Sequence, residues 1–224
     1  FNDLVISEIM SDPDPAVELP SAEYLELYNR STNLISLDGV SLIDQTDSVS
    51  LTSVTMKPGD YLLLTTTSSV SDFDEVIMKA GVPGWSALNN GGELLTLMHA
   101  GEIIFQVDYD QDWHNENAQA GGVSLEMKDL NNPCGGSENW ASSRSSTGGT
   151  PGTINASTES IPDNFGPHLV SARAINTRTL ELVFDETLRD RTPDNLVLSF
   201  DPVNIVQTTT FGIDRRTLIV YLGV

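Results

Sequence analysis

The sequence predicts an all-β protein made of two β-sandwich domains in series. Three observations predict it. Short apolar or alternating runs recur at roughly the eight-to-twelve-residue spacing of sandwich strands, with turn residues between them. The run AEYLELYN at 22–29 alternates with a period of two. A breaker-rich stretch at 158–166, containing Pro162 and Gly166, separates this pattern from a second β pattern that starts at Pro167.

The elements follow in order. Residues 4–10, LVISEIM, form the first strand, and 11–21, with three prolines and three acids, form a loop. In 22–29, Leu25 and Leu27 point one way and Tyr24, Glu26 and Tyr28 the other, the pattern of a half-buried strand flanked by β-favouring tyrosines. A turn at 29–33, a short apolar run at 34–37 and Gly39 lead to strands at 40–44 and 48–55. Pro58-Gly59-Asp60 is a turn, proline setting φ and glycine taking the conformation other residues avoid. Residues 61–67 run apolar, then threonine-rich, as in a strand covered on both faces. Residues 71–80 are the helical candidate, with Ser71 to cap, acids in the first turn and Val76, Ile77 and Ala80 at helical spacing. Asn89-Asn90-Gly91-Gly92 is a turn, and 93–99 with 102–109 read as a hairpin. Gly121-Gly122 precedes a strand at 123–127, and 131–155 is polar, rich in glycine and serine, and without period.

After the linker, Leu180, Leu182 and Phe184 share one strand face and Thr179, Glu181 and Val183 the other. Further strands are expected at 196–200 and 217–222. Only 58 residues follow from Pro167 onward, against about 100 for a full domain of this kind. The second domain is therefore expected to lack its final strands, to leave TLIVYL at 217–222 unpaired, and to self-associate through 167–224.

Three pieces carry a family resemblance: LVISEIMxDPxP…LPxAEYLELYN at the start, NNGGELLTL in the middle, and Asn139, Trp140, Ser143, Gly148, Gly149, Thr150, Pro151, Gly152 and Asn155 at the end. In that order they resemble the lamin tail domains of exported bacterial proteins, over roughly residues 3–157. The resemblance implies an immunoglobulin-like sandwich for 1–157, agreeing with the strand pattern, and an exported or surface location in a bacterium. It also implies that Tyr109, Trp113 and Trp140 pack on the sandwich. VFDE at 183–186 and DRRTLIVYL at 214–222 resemble the first part of a surface-layer type immunoglobulin-like domain, which implies 158–166 as linker and 167–224 as a partial domain.

The net charge of −21 is uneven: residues 1–157 hold 23 acids and five bases. Such a surface repels phosphate backbones, so the chromatin contacts of eukaryotic lamin tails are not expected and no nucleic-acid partner is assigned. It serves solubility and can attract cations or basic partners. No run of about eighteen apolar residues exists to span a bilayer. The opening Phe1, in place of Met, points to residues removed ahead of it. The single cysteine, Cys134, forms no intrachain disulfide and has no flanking base to activate it.

No catalytic constellation is present: there is no nucleophile elbow, phosphate loop or zinc helix, and His99, His114 and His168 are dispersed. TGGTPG at 147–152 lacks the lysine a phosphate loop needs and reads as a tight surface loop. Glu8 and Glu26 fall on neighbouring strands, and such pairs can do acid–base work. With no sugar groove evident, they read as surface or hydrogen-bonded acids. Asp108, Asp110 and Asp112 match the first half of a D-x-D-x-D calcium loop, but Trp113 and Gln119 stand where glycine and glutamate belong. They either share a strand face and hold calcium or are simply solvated. Trp85, in the loop-like GVPGWSALNN, is expected to be exposed and is the candidate ligand-binding residue. The expected function is a non-catalytic module for adhesion or scaffolding, with protein or surface-glycan partners. The alternative is a glycan-binding accessory domain of a secreted hydrolase.

Overall fold

Apolar and alternating runs fold as strands almost throughout the computed structural model, which describes residues 2–44, 47–164, 166–188, 206–212 and 215–223. Two compact units divide at Pro162/Asp163, inside the expected linker. The first half of that stretch is tied to the first unit: Glu159 N donates to Lys128 O at 3.0 Å and Ile161 N to Asp129 Oδ2 at 2.8 Å.

In the first unit, β1 (Leu4–Met10), β2 (Tyr24–Asn29), β7 (Tyr61–Thr66), β8 (Lys79–Val82), β11 (Leu125–Met127) and β12 (Trp140–Ser142) form one sheet in the order β12-β11-β1-β2-β7-β8. Its neighbours are antiparallel except β7 and β8, which run parallel. The opposing sheet, β10-β9-β4-β5, contains β4 (Val40–Ile43), β5 (Ser48–Ser50), β9 (Gly92–His99) and β10 (Glu102–Asp110). A short ladder joins β3 (Ile35–Ser36) to β6 (Thr55–Met56). The main core includes Ile9, Leu25, Leu27 and Leu64 from the larger sheet and Leu42, Leu95, Leu97 and Phe105 from the smaller one. This two-layer packing is the immunoglobulin-like sandwich the strand pattern predicts.

The larger sheet is covered on its outer face as well. Met10, Tyr24, Leu63 and Phe73 form a second apolar cluster there, with Leu19 and Ile77 packed against it. Consequently β2 is not the half-buried strand its alternation suggests; five of its six residues are buried. The alternation is real, but loops roof the face that would otherwise meet water.

The helical candidate at 71–80 is also corrected. It holds a 3-10 turn at Val70–Asp72, a loop, and then the start of β8. Val76 is 87 % exposed, so the apolar spacing never becomes one buried helix face. Phe73 and Ile77 pack onto the outer cluster instead, and Lys79 Nζ donates to the carbonyls of Phe73 and Asp74. Within the polar 131–155 stretch, the structure adds a 3-10 turn at Gly136–Asn139 and strand β12.

In the second unit, β13 (Leu169–Asn176), β14 (Thr179–Phe184), β15 (Val206–Phe211) and β16 (Thr217–Leu222) form a sheet in the order β13-β14-β16-β15. Leu182, Leu218, Val220 and Leu222 form its core, with Leu180 and Phe184 against them. The expectation of an unpaired TLIVYL is overturned, because β16 is an interior strand bonded to β14 on one side and β15 on the other. The strand expected at 196–200 lies outside the described residues.

Candidate functional site

Three glutamates sit side by side on the outer face of the larger sheet. The ladder places Glu8 of β1 opposite Glu126 of β11 on one side and opposite Glu26 of β2 on the other. All three are 0 % exposed. Apolar strand neighbours that face the main core flank them: Ile9 on one side of Glu8, Leu25 and Leu27 about Glu26, Leu125 and Met127 about Glu126. The strand pleat that buries those residues turns the carboxylates the other way.

A strap formed by residues 147–157 closes over them. Thr150 N donates to Glu8 Oε1 at 2.9 Å, Gly152 N to Glu26 Oε2, and Ser157 N to Glu126 Oε2 at 2.6 Å. The Thr150 hydroxyl lies 2.8 Å from Glu126 Oε1 and 3.4 Å from Glu8 Oε2. From the sheet side, Tyr24 and Ser124 hydroxyls donate to Glu8 Oε1, both at 2.6 Å, and Ser7 donates to Glu26 Oε1 at 2.8 Å. Asn155 pins the strap's far end by donating to the carbonyls of Ser7 and Met127, each at 2.9 Å. TGGTPG is thus not a free surface loop: its Gly148 and Gly149 are buried. Gly149 has to be glycine, since a Cβ there would stand 2.3 Å from the Tyr24 hydroxyl and 2.6 Å from Glu8 Oε1.

Burial is the largest influence on these acids. It pushes Glu8 up to about 7 against its hydrogen bonds from Ser124, Tyr24 and Thr150, and Glu126 adds repulsion. Burial, then the charge of Glu8, raises Glu26 well above the usual carboxylate range. Burial likewise raises the Tyr24 phenol, with Glu8 adding to it. No lysine, arginine or histidine is among the hydrogen-bond partners of the three glutamates, and no ion pair among the described residues reaches them. The pair expected to be surface or hydrogen-bonded acids is therefore hydrogen-bonded but fully buried. A glycosidase-type pair needs room for a sugar between its carboxyls; here the strap occupies that place. Sequence reasoning did not find Glu126, Ser124 or Thr150. The available signal was a lone glutamate inside an apolar strand, occurring three times.

The other sequence candidates are scattered. Asp108 and Asp110 are exposed on β10, while Asp112 lies in the 3-10 turn Gln111–Trp113. Asp110 Oδ1 accepts from Asp112 N at 2.8 Å, so its carboxylate caps that turn. Among the described residues, no group of three or more acids, histidines or cysteines is placed to hold a metal ion. Trp85 is half-buried against the main core, and its indole Nε1 donates to Glu23 Oε2 at 3.2 Å. The same carboxylate oxygen accepts from Leu88 N at 2.9 Å. Trp85 is therefore not the exposed platform expected of it. Tyr109 and Trp140 are buried, and Trp113 packs against Trp140 with ring centroids 6.1 Å apart. Cys134 is half-buried and its sulfur accepts from Asn2 Nδ2 at 3.2 Å. His114 Nδ1 lies 3.1 Å from Ser142 Oγ, and burial lowers it to about 4. His99 and His168 are exposed and in different units.

Outside the cluster, exposed acids such as Glu18, Asp38, Asp74, Glu75, Glu102 and Glu116 form an open negative surface. In the first unit, the ion pairs among the described residues are Lys79–Glu75 and Lys128–Glu159. No helix among the described residues is long and apolar enough to cross a membrane.

Residues 1–111 match the family described as Lamin Tail Domain. The match spans β1 to β10 and stops before β11, β12 and the strap. No curated protein and no solved structure matches the chain. The lamin tail domain is an immunoglobulin-like, non-enzymatic fold family, and the match suggests a non-catalytic protein-interaction module for the first unit.

Proposed function

We propose, from the lamin tail match over residues 1–111, that this chain is part of an exported or cell-surface bacterial protein and works there in adhesion or scaffolding. The observation that carries the reading is the division of acids in the first unit. The three buried glutamates are spent on the domain's own strap. Many of the other acids, among them Glu102, Asp108, Asp110 and Glu116, face water with few bases to answer them. A surface of that kind meets a partner bearing lysine or arginine and speeds its approach. The glycan-binding alternative calls for an exposed indole, and the Trp85 indole is tied to Glu23.

The test is fractionation of the source cells with protease shaving of intact cells, and an attachment assay on a strain lacking residues 1–162. Recovery at the surface together with weakened attachment is the expected result. Recovery only from cytoplasm, or hydrolase turnover in purified protein abolished by Glu26→Gln, would overturn it.

A further inference from the structure

Among the described residues no ion pair balances the three carboxyl groups under the strap, and like charges directly opposite one another on a sheet are unfavourable. The hydrogens available show where a proton fits. Glu8 Oε1 receives three donors: Tyr24 hydroxyl, Ser124 hydroxyl and Thr150 N. Glu8 Oε2 has only the Thr150 hydroxyl near it, at 3.4 Å, and that hydroxyl stands closer to Glu126 Oε1, at 2.8 Å. A hydroxyl has a single hydrogen to give. With that hydrogen on Glu126, a proton on Glu8 Oε2 completes a chain: Glu8 carboxyl to Thr150 oxygen, Thr150 hydrogen to Glu126 carboxylate.

We propose that the Glu8–Glu26–Glu126 cluster is a proton-held clasp: the strap at 147–157 stays closed while the cluster keeps a proton, and is released when rising pH removes it. The mechanism is the difference in solvation between two states. Closed, the carboxylates are shut away from water. Open, the strap amides of Thr150, Gly152 and Ser157 have left them and all three are hydrated, so Glu8 and Glu26 return toward an ordinary carboxylate affinity for protons. The closed state therefore binds protons more tightly than the open one, and protons favour closure. For a carboxyl raised by burial, the stabilisation is complete below about 4.5 and is lost as pH climbs through about 7.

The other titratable groups on this face are Tyr24 and Tyr28 of β2 and Tyr61 of β7, which stacks on Tyr28; burial is the main cause raising the Tyr24 and Tyr61 phenols, and the charge of Glu26 adds to both, so neither loses its proton in this range. The strap itself carries no titratable side chain between residues 147 and 157. The glutamates are left as the groups that respond.

The test is amide hydrogen exchange on the whole 224-residue chain from pH 5 to pH 9, corrected for the intrinsic dependence of exchange on pH. Protection at Thr150, Gly152 and Ser157 should fall by up to about ten-fold per pH unit above the transition, as release of one proton requires. Protection at Leu95 and Leu97, in the opposite sheet, should stay level. In Glu8→Gln, whose amide can donate to the Thr150 oxygen as the protonated acid does, the fall in strap protection should shrink to the part that Glu26 supplies. Should Glu8→Gln fail to fold, carboxyl-carbon NMR on the wild-type protein answers the question: a cluster glutamate should titrate above pH 6, and the strap amide resonances should move with it. Strap protection that is flat across the range, an equal fall in wild type and Glu8→Gln, or cluster carboxyls all titrating near 4.5 would overturn the proposal.

Discussion

Gly149 occupies a position with no room for a methyl group, since its nearest neighbours are the Tyr24 hydroxyl and Glu8. Both are pinned to each other by a 2.6 Å hydrogen bond and cannot swing aside separately. Gly149→Ala should destabilise the first unit by about 1–3 kcal/mol, the range for overpacking. Gly59→Ala, at φ +82 but with nothing within 4 Å, should cost only about 1 kcal/mol through backbone strain. Urea unfolding of the two variants compares them, and equal losses would mean the strap is looser than its distances. His114 carries a prediction of opposite sign to Glu8. Its folded value is depressed to about 4, so the unfolded chain takes up the proton first as pH falls below about 6.5. The stability His114 contributes above that point is lost toward pH 4, whereas the Glu8 contribution is lost in the alkaline direction. Imidazole proton shifts of His114 should stay constant from pH 8 down to pH 5.

Strand elements were readable where their signal was local. β1 and β16 have the bounds their apolar runs define, and the β9–β10 hairpin follows from Asn89-Asn90-Gly91-Gly92 before it and Ala100-Gly101 in its turn. What could not be read depends on partners remote in sequence. Nothing in 147–157 announces that its amides will meet Glu8, because the two are separated by 142 residues. Helical spacing at 71–80 failed for a related reason: a parallel ladder from β7 competes for that backbone and wins at Lys79–Val82. The sheet order of the second unit gives a further prediction. Since β16 is bonded on both sides, amides of Leu218 and Val220 should exchange slowly at protein concentrations where sedimentation shows monomer. Slow exchange appearing only in a dimer would restore the unpaired-strand reading.

Taken as a whole, the molecule carries a net charge of −21, most of it on residues 1–157. Self-repulsion of that size weakens the folded state and is screened over about 8 Å at physiological ionic strength. Raising sodium chloride from about 10 mM to about 0.5 M should lift the melting temperature of the first unit by a few degrees. Duplex DNA should show no binding at physiological salt. The strap also sets an order of events for the growing chain. β1 is made well before the strap: Thr150 lies 142 residues from Glu8 and Asn155 lies 148 from Ser7. Contacts of that sequence separation form late and make folding slow. Until they form, the outer edge of β1 has no β11 beside it and its glutamate stays wet. A chain halted near residue 111 therefore has ten strands but no lid. It should remain protease-sensitive and unfolded until the glycine segment emerges, which makes completion of this domain a vectorial, end-to-end event.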